Sequence, residues 1–338
     1  MIPHLACPLH ESSQIGDARR QAARIAEELS FDEVAAGRLA LVVTELATNL
    51  VKHARDGMLL IGRADGATGS AIEVVSMDRG PGMHNVGHSM TDGTSTSGTA
   101  GTGLGAVKRL SNDFHIFSKR DQGTLIVARV APDSTLESSR VGAPASGLSC
   151  AGLCVAAPGE FVSGDSWSCR AVGAGGAILM ADGLGHGPDA AEAADAAVAA
   201  FLKHPEDGPK DVLERCHNAL RGSRGAAVAA INIDAERQVV RFCGAGNIAA
   251  RLLTGVQDRS LMSQHGTVGL QIRRLQELEY ALPEHALLVV HSDGIQSRWN
   301  FSETPELLAC DPILIAAHIV RDQLRGRDDA TVVVARCP

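Results

Sequence analysis

At 338 residues with 45% hydrophobic side chains, the chain holds enough apolar mass for about two globular cores. A net charge of −8, one Tyr and two Trp supply neither a basic footprint nor a stacking surface, which argues against nucleic acid. No apolar run is read as approaching the ~18–20 residues of a membrane span, no leader pattern opens the chain, and its eight scattered cysteines include no CxxC; the expectation is a cytoplasmic protein with reduced thiols and no membrane partner.

Residues 16–55 read as helical. Ala22, Ile25, Ala26 and Leu29 recur at i, i+3, i+4 and i+7, and Leu39, Val42, Val43 and Leu46 continue such a face to Leu50. Strands are predicted at Met58–Arg63 and Ala71–Met77. A loop rich in Gly, Ser and Thr then runs from Gly80 to Gly103, before a helix at Leu104–Leu110 and strands at His115–Lys119 and Thr124–Val130. Residues 131–147 are short of large apolar side chains and read as a linker between domains at 1–130 and 148–338. Beyond the linker, apolar strand-like runs recur at Ala177–Ala181, Ala226–Ile233, Val239–Cys243, Leu287–His291 and Thr331–Ala335. Helical stretches are predicted at Pro188–Lys203 and Lys210–Leu220. This order describes an α+β protein rather than alternating βαβ units.

The first candidate site begins with Glu45 and Asn49, four apart on one helix face, with His53 one turn later. A carboxylate beside an amide oxygen suits activation of water or Mg2+ binding. Asp78-x-Gly80-x-Gly82 closes a strand, where the carboxylate can accept from an adenine amino group and the glycines admit the ring. The run from Gly93 through Gly98, Gly101, Thr102, Gly103, Leu104 and Gly105 opens a helix, and bare amides there make a phosphate cradle. It lacks the Lys-Ser/Thr ending of a Walker A loop.

The second candidate site is acidic. Asp182 and Asp293 each follow an apolar run, Asp165 follows Gly164, and Asp328-Asp329 precede an apolar strand. Carboxylates converging from strand ends, with Gly183 lending a carbonyl, suit a pair of hard cations that deliver a hydroxide to phosphorus. His186 is read as a substrate-facing or supporting group.

These motifs carry two resemblances. Glu45-x3-Asn49-x3-His53, Asp78-x-Gly80-x-Gly82, Gly101-x-Gly103-x-Gly105 and Gly123-Thr124 resemble the ordered boxes of the GHKL ATPases. Within that superfamily they resemble the serine/threonine kinases of bacterial partner switching. The resemblance covers residues 10–130 and implies a Bergerat α/β sandwich binding ATP and Mg2+. Glu45 would be the general base, Asn49 would hold Mg2+, Asp78 would read adenine, and the lid glycines with Thr102 would wrap the phosphates. Whether Lys108 or Arg109 meets the γ-phosphate stays open.

Pro158-Gly-Glu-Phe-Val-Ser-Gly-Asp165-Ser-Trp167, the Asp182 motif, Gly244-Ala-Gly-Asn247, Ser292-Asp293-Gly294 and Arg327-Asp328-Asp329-Ala-Thr331 resemble the SpoIIE-like branch of type 2C (PPM) phosphatases over residues 148–338. That implies a PPM-type αββα sandwich with Mn2+ or Mg2+. Asp182 would bridge two ions, Gly183 would give a carbonyl, and Asp293 and Asp328 would complete one metal with Asp165 in support. Whether Asp328 or Asp329 is the ligand stays open. Ser166-Trp167 departs from the aromatic or acidic residues the family often has there, which bears on a third metal.

Together the resemblances imply a bifunctional partner-switching regulator, phosphorylating and dephosphorylating STAS-domain antagonists or stressosome proteins. The alternatives are a phosphatase with an ATP-sensing N-domain, or a non-catalytic N-domain that binds a sigma factor or a downstream phosphatase or cyclase. Pairing of two copies through the N-domain is also compatible with the resemblance.

Overall fold

The computed structural model describes residues 2–64, 71–90, 103–132, 147–272 and 274–337. The chain forms two compact units: one comprises His4–Ala143, and the other Pro144–Pro338 together with Met1–Pro3. The expected linker 131–147 lies largely outside the described residues.

The first unit is a five-stranded antiparallel sheet with helices against one face. Its elements are β1 (Leu5–Pro8), α1 (Ser12–Glu28), α2 (Glu33–His53), β2 (Met58–Ala64), β3 (Ala71–Met77), α3 (Val86–Ser89), α4 (Gly103–Leu110), β4 (Asp113–Ser118) and β5 (Thr124–Val130). The strand order is β1-β2-β3-β5-β4. Leu39, Val42, Leu46 and Leu50 of α2 meet Ile61, Val74 and Ile126 of the sheet, so the helical face read from the sequence is the core face. Asp32 caps α2 by accepting from the Ala35 amide at 2.8 Å. One expectation needs correction. α2 is 21 residues long with a mean hydropathy of 1.4 in its most apolar window, so by length and composition it could cross a membrane. It lies instead in this unit's core, with Leu39, Val42, Val43, Leu46, Ala47 and Leu50 all buried.

The second unit is a sandwich. It contains β6 (Ser149–Val155), β7 (Asp165–Val172), β8 (Gly175–Gly183), α5 (Pro188–Leu202), α6 (Pro209–Ala219), β9 (Ala226–Asp234), β10 (Val239–Ala245), β11 (Ala249–Leu253) and β12 (Asp258–Leu261). It continues through β13 (Gly266–Thr267), β14 (Gln271–Ile272), β15 (Leu278–Ala281), β16 (Leu287–His291), α7 (Pro312–Gln323) and β17 (Ala330–Arg336). One sheet runs β15-β10-β9-β8-β7 and the other β12-β11-β16-β17-β6. Between them lie Trp167, Ile178, Met180, Phe242, Val290 and Val333. On the outer face of the first sheet, Ala194, Ala197, Phe201 and Leu213 of α5 and α6 pack on Leu179 and Val228. α7 packs against β6 and β17 of the other sheet, giving the αββα layering. The alanines of α5 are what let it lie close to the sheet, where larger side chains would hold it away.

Candidate functional site

In the first unit, α2 projects Glu45 and Asn49 from one face, both half-buried. The N-terminus of α4 stands over them. A Cβ added at Gly103 would lie 3.1 Å from Glu45 Oε2 and 3.8 Å from Asn49 Nδ2. An oxygen-bearing pair thus faces the start of a helix, where free amides and the helix dipole favour a phosphate.

Asp78 is buried at the end of β3. Its amide donates to the Thr124 carbonyl at 3.0 Å, and its Oδ1 accepts from the Gly80 amide at 2.6 Å. Thr124 and Ser118 share a 2.9 Å hydroxyl contact, and Ser118 Oγ accepts from the Met83 amide at 2.8 Å.

The glycines here serve the backbone. A Cβ at Gly82, where φ is +67°, would fall 2.1 Å from the Lys119 carbonyl oxygen. One at Gly80 would fall 2.9 Å from both Asp78 Oδ1 and the His53 carbonyl. His53 itself has an exposed ring, so its main chain rather than its imidazole joins the cluster. Leu104 packs on the helical core and Gly105 is buried inside α4. Lys108 and Arg109 are exposed in its last turn. Gly98, Gly101 and Thr102 lie outside the described residues. The buried Asp78 carboxylate and the close approach of Gly103 to the Glu45–Asn49 face fit a nucleotide with its cation.

In the second unit, the acidic residues gather at one end of the sandwich. Asp165 opens β7 directly opposite Asp182 at the end of β8, and the Gly183 amide donates to the Gly164 carbonyl at 2.9 Å. Asp165 is 1% exposed. Its Oδ2 accepts from Ser292 Oγ at 2.7 Å, and its Oδ1 is buried with no partner. Ser292 Oγ in turn accepts from the Thr331 amide at 3.0 Å, so β16 and β17 fix the group that fixes Asp165. Asp293 Oδ2 accepts from Asn247 Nδ2 at 2.6 Å.

The adjacent aspartates divide their work. Asp329 is 3% exposed, and its two oxygens accept from the Ala157 and Gly164 amides at 2.8 and 2.9 Å. Asp328 is exposed, and one of its oxygens accepts from the Asp329 amide at 2.9 Å. Asp329 is therefore a clamp on the 157–164 loop, and Asp328 is the member of the pair with oxygen to offer.

That loop returns Glu160 to the site, where its Oε1 meets His186 Nδ1 at 2.7 Å. Gly183 is demanded by packing, since a Cβ there would fall 2.1 Å from the Ala190 carbonyl of α5. A Cβ at Gly294 would fall 2.0 Å from the Asp329 carbonyl.

The electrostatics show what this cluster lacks. Burial, then Asp165, Asp293, Asp328 and Asp329, push the Asp182 carboxyl up to about 9. Burial, opposed by its hydrogen bonds and reinforced by Asp329 and Asp293, pushes Asp165 up to about 7. Among the described residues, no three His, Cys, Asp or Glu side chains are already closed into a metal shell. The donor set is nonetheless all oxygen, gathers carboxylates that raise one another's pKa and includes an orphaned carboxylate oxygen. It fits divalent ions that complete their shells with water, as Mg2+ commonly does.

Sequence reasoning quoted the segments holding Glu160 and Asn247 without giving either residue a role. Their contacts are 26 and 46 residues apart in sequence, a separation that no local pattern reports.

Comparison with known proteins agrees with this division. The histidine kinase-like ATPase domain model matches residues 9–130. The stage II sporulation protein E (SpoIIE) model matches residues 173–338, which leaves Asp165 outside the matched segment. The serine/threonine-protein kinase RsbT of Bacillus subtilis (strain 168) is 35% identical over 111 residues, covering 33% of this chain and 84% of RsbT. The phosphoserine phosphatase RsbX of the same organism is 29% identical over 90 residues, covering 27% of this chain and 45% of RsbX.

Among solved structures, one described as the bacterial stressosome, a modular system adapted to control secondary messenger signaling, superposes with a TM-score of 0.52 at 29% identity. It covers 56% of this chain and 99% of its own. The magnesium complex of RsbX gives 0.50 at 19% identity over 56% of this chain and 96% of its own, a likeness of fold.

Proposed function

We propose, for a chain that belongs through residues 9–130 to the histidine kinase-like ATPase family and carries a SpoIIE domain of type 2C phosphatase fold over residues 173–338, that it runs an opposed phosphorylation cycle on a protein hydroxyl. The architecture is that of a partner-switching regulator. The proposed domain limits are 1–130 and 148–338, and the proposed setting is the cytoplasm. The proposed substrates are STAS-domain or stressosome-type proteins, a reading supported by the relatives RsbT and RsbX.

The observation that carries the phosphatase half is the convergence of Asp165, Asp182, Asp293 and Asp328 on one end of the sandwich, where burial and mutual repulsion push Asp182 and Asp165 up. Asp182, Asp293, Asp328 and the Gly183 carbonyl are the proposed holders of Mg2+ or Mn2+, with Asp165 behind them. Bound ions there would supply a nucleophile from water and neutralise the phosphoryl group. The protein's own part is to aim these oxygens. Ser292 orients Asp165, Asn247 orients Asp293, and Asp329 holds the loop that brings Glu160 onto His186.

For the kinase half, Glu45 is the proposed base toward a Ser or Thr hydroxyl and Asn49 the proposed Mg2+ ligand. Asp78 would read the adenine amino group, and the N-terminus of α4 would receive phosphate. The support is the juxtaposition of Gly103 with Glu45 and Asn49.

A single reaction tests both halves: the chain, a STAS-domain protein, ATP and Mn2+, followed by intact mass over time. Phosphorylation that rises and then falls is the expected outcome. Dephosphorylation of a pre-phosphorylated partner without any transfer from ATP would leave an ATP-sensing N-domain instead.

A further inference from the structure

The mouth of the carboxylate cluster carries apolar surface that neither metal binding nor core packing uses. Leu184, the residue after Gly183, is 44% exposed, and Leu270 is 55% exposed. The two are joined through Gly225. Its carbonyl accepts from the Leu184 amide at 3.0 Å, and a Cβ on it would lie 3.0 Å from Leu270 Cγ. Register places Gly183 opposite Ala226, so this pair sits at the β9 side of the Asp182 strand end. Leu184 directly follows Gly183, so the pair begins beside the Asp182 strand end and continues past Gly225 to Leu270.

Two charged groups on this side are already engaged. Arg224 pairs with Asp189 at 2.8 Å and His186 meets Glu160 at 2.7 Å. Apolar contact is a further means of telling one phosphorylated segment from another.

We propose that Leu184 and Leu270 form a shelf on which a phosphoprotein substrate lays a large apolar side chain neighbouring its phosphorylated Ser or Thr. The proposal rests on the phosphatase reading and adds its specificity. The shelf adjoins the Asp182 strand end, so the occupant it would meet is the segment that carries the phosphate. Two half-exposed leucines covered by one apolar side chain give a preference of roughly tenfold in kcat/KM.

The test uses the full chain with Mn2+ and two synthetic phosphoserine peptides, one with Leu and one with Gly on both sides of the phosphoserine, beside p-nitrophenyl phosphate. The expected result is about tenfold higher kcat/KM for the Leu peptide. Leu270→Ser should abolish this preference with p-nitrophenyl phosphate turnover within about twofold of the parent, and Leu184→Ser serves as a second variant. Equal turnover of the two peptides by the parent, or a preference that survives Leu270→Ser, overturns the shelf.

A parallel binding measurement in Asp182→Asn separates the two readings. Preference for the Leu peptide there supports the shelf even if turnover is absent and the phosphatase reading fails. Equal affinity for the two peptides overturns the shelf whatever the turnover.

Discussion

Asp165 and Asp182 stand directly opposite one another on neighbouring antiparallel strands, so backbone register alone brings together two carboxylates that repel. In the ion-free protein the cost is met by protons. Both groups titrate well above the ordinary carboxylate value of 3.8, at about 7 and about 9. The folded state therefore binds more protons than the unfolded chain across that interval, and stability falls as pH rises through it. With chelator present, melting of the second unit should drop steadily between about pH 5 and pH 9. Added Mg2+ should raise it more at pH 9 than at pH 6. Asp182→Asn should flatten the slope, and a chelated protein that gains stability toward pH 9 would contradict the arrangement.

The neighbours Asp328 and Asp329 should separate cleanly under mutation. Asp329→Ala strips the acceptor from two buried amides and should cost about 2–4 kcal/mol of stability, read by denaturant unfolding. Asp328→Ala should leave melting within a degree or two. It should weaken Mn2+ activation of phosphatase turnover by about 10- to 100-fold. Exchanged phenotypes would reassign the ligand.

Asn247→Ala removes the donor that orients Asp293. Weaker Mn2+ affinity by about tenfold, with kcat recovered at saturating metal, is the expected pattern. A loss of kcat that saturating metal does not repair would give Asn247 a different part.

In the first unit, Glu45→Ala should keep ATP affinity within about twofold while phosphotransfer to a partner falls by about 10²–10⁴, the range typical of losing a general base. Asn49→Ala should instead lose Mg2+-dependent ATP binding, measurable by calorimetry with and without the cation. Equal transfer rates in Glu45→Ala and the parent would end its role as base.

Two glycines give opposite signs. Gly183→Ala puts a methyl 2.1 Å from the Ala190 carbonyl and should cost at least about 2 kcal/mol in thermal melting. Gly37, inside α2 with nothing within 4 Å of an added Cβ, should gain about 0.4–1 kcal/mol as Ala.

The strong sequence signals were those with one wet and one dry face. α2 shows its core stripe plainly because Glu45 and Asn49 interrupt the opposite side. α7 does not, because Pro312 through Ala317 and both Ile319 and Val320 are buried all round, which removes the helical period. β7 was hidden for the converse reason: Asp165, Ser166 and Ser168 are polar yet buried, so alternation fails where the site begins. Asp182, Asp293 and Asp328 were legible because each ends or precedes an apolar strand. The separate duty of Asp329 was not, since its partners at 157 and 164 are more than 160 residues away in sequence.

That last distance also sets an order of events during synthesis. β5 closes the first sheet at Val130, whereas β17 must slot between β16 and β6, and Asp329 must reach back to Ala157 and Gly164. A ribosome releases the first unit's sheet complete while the acidic cluster is still missing β17. Each newly made chain would then pass through an interval in which its first unit is folded and its acidic cluster is not yet assembled.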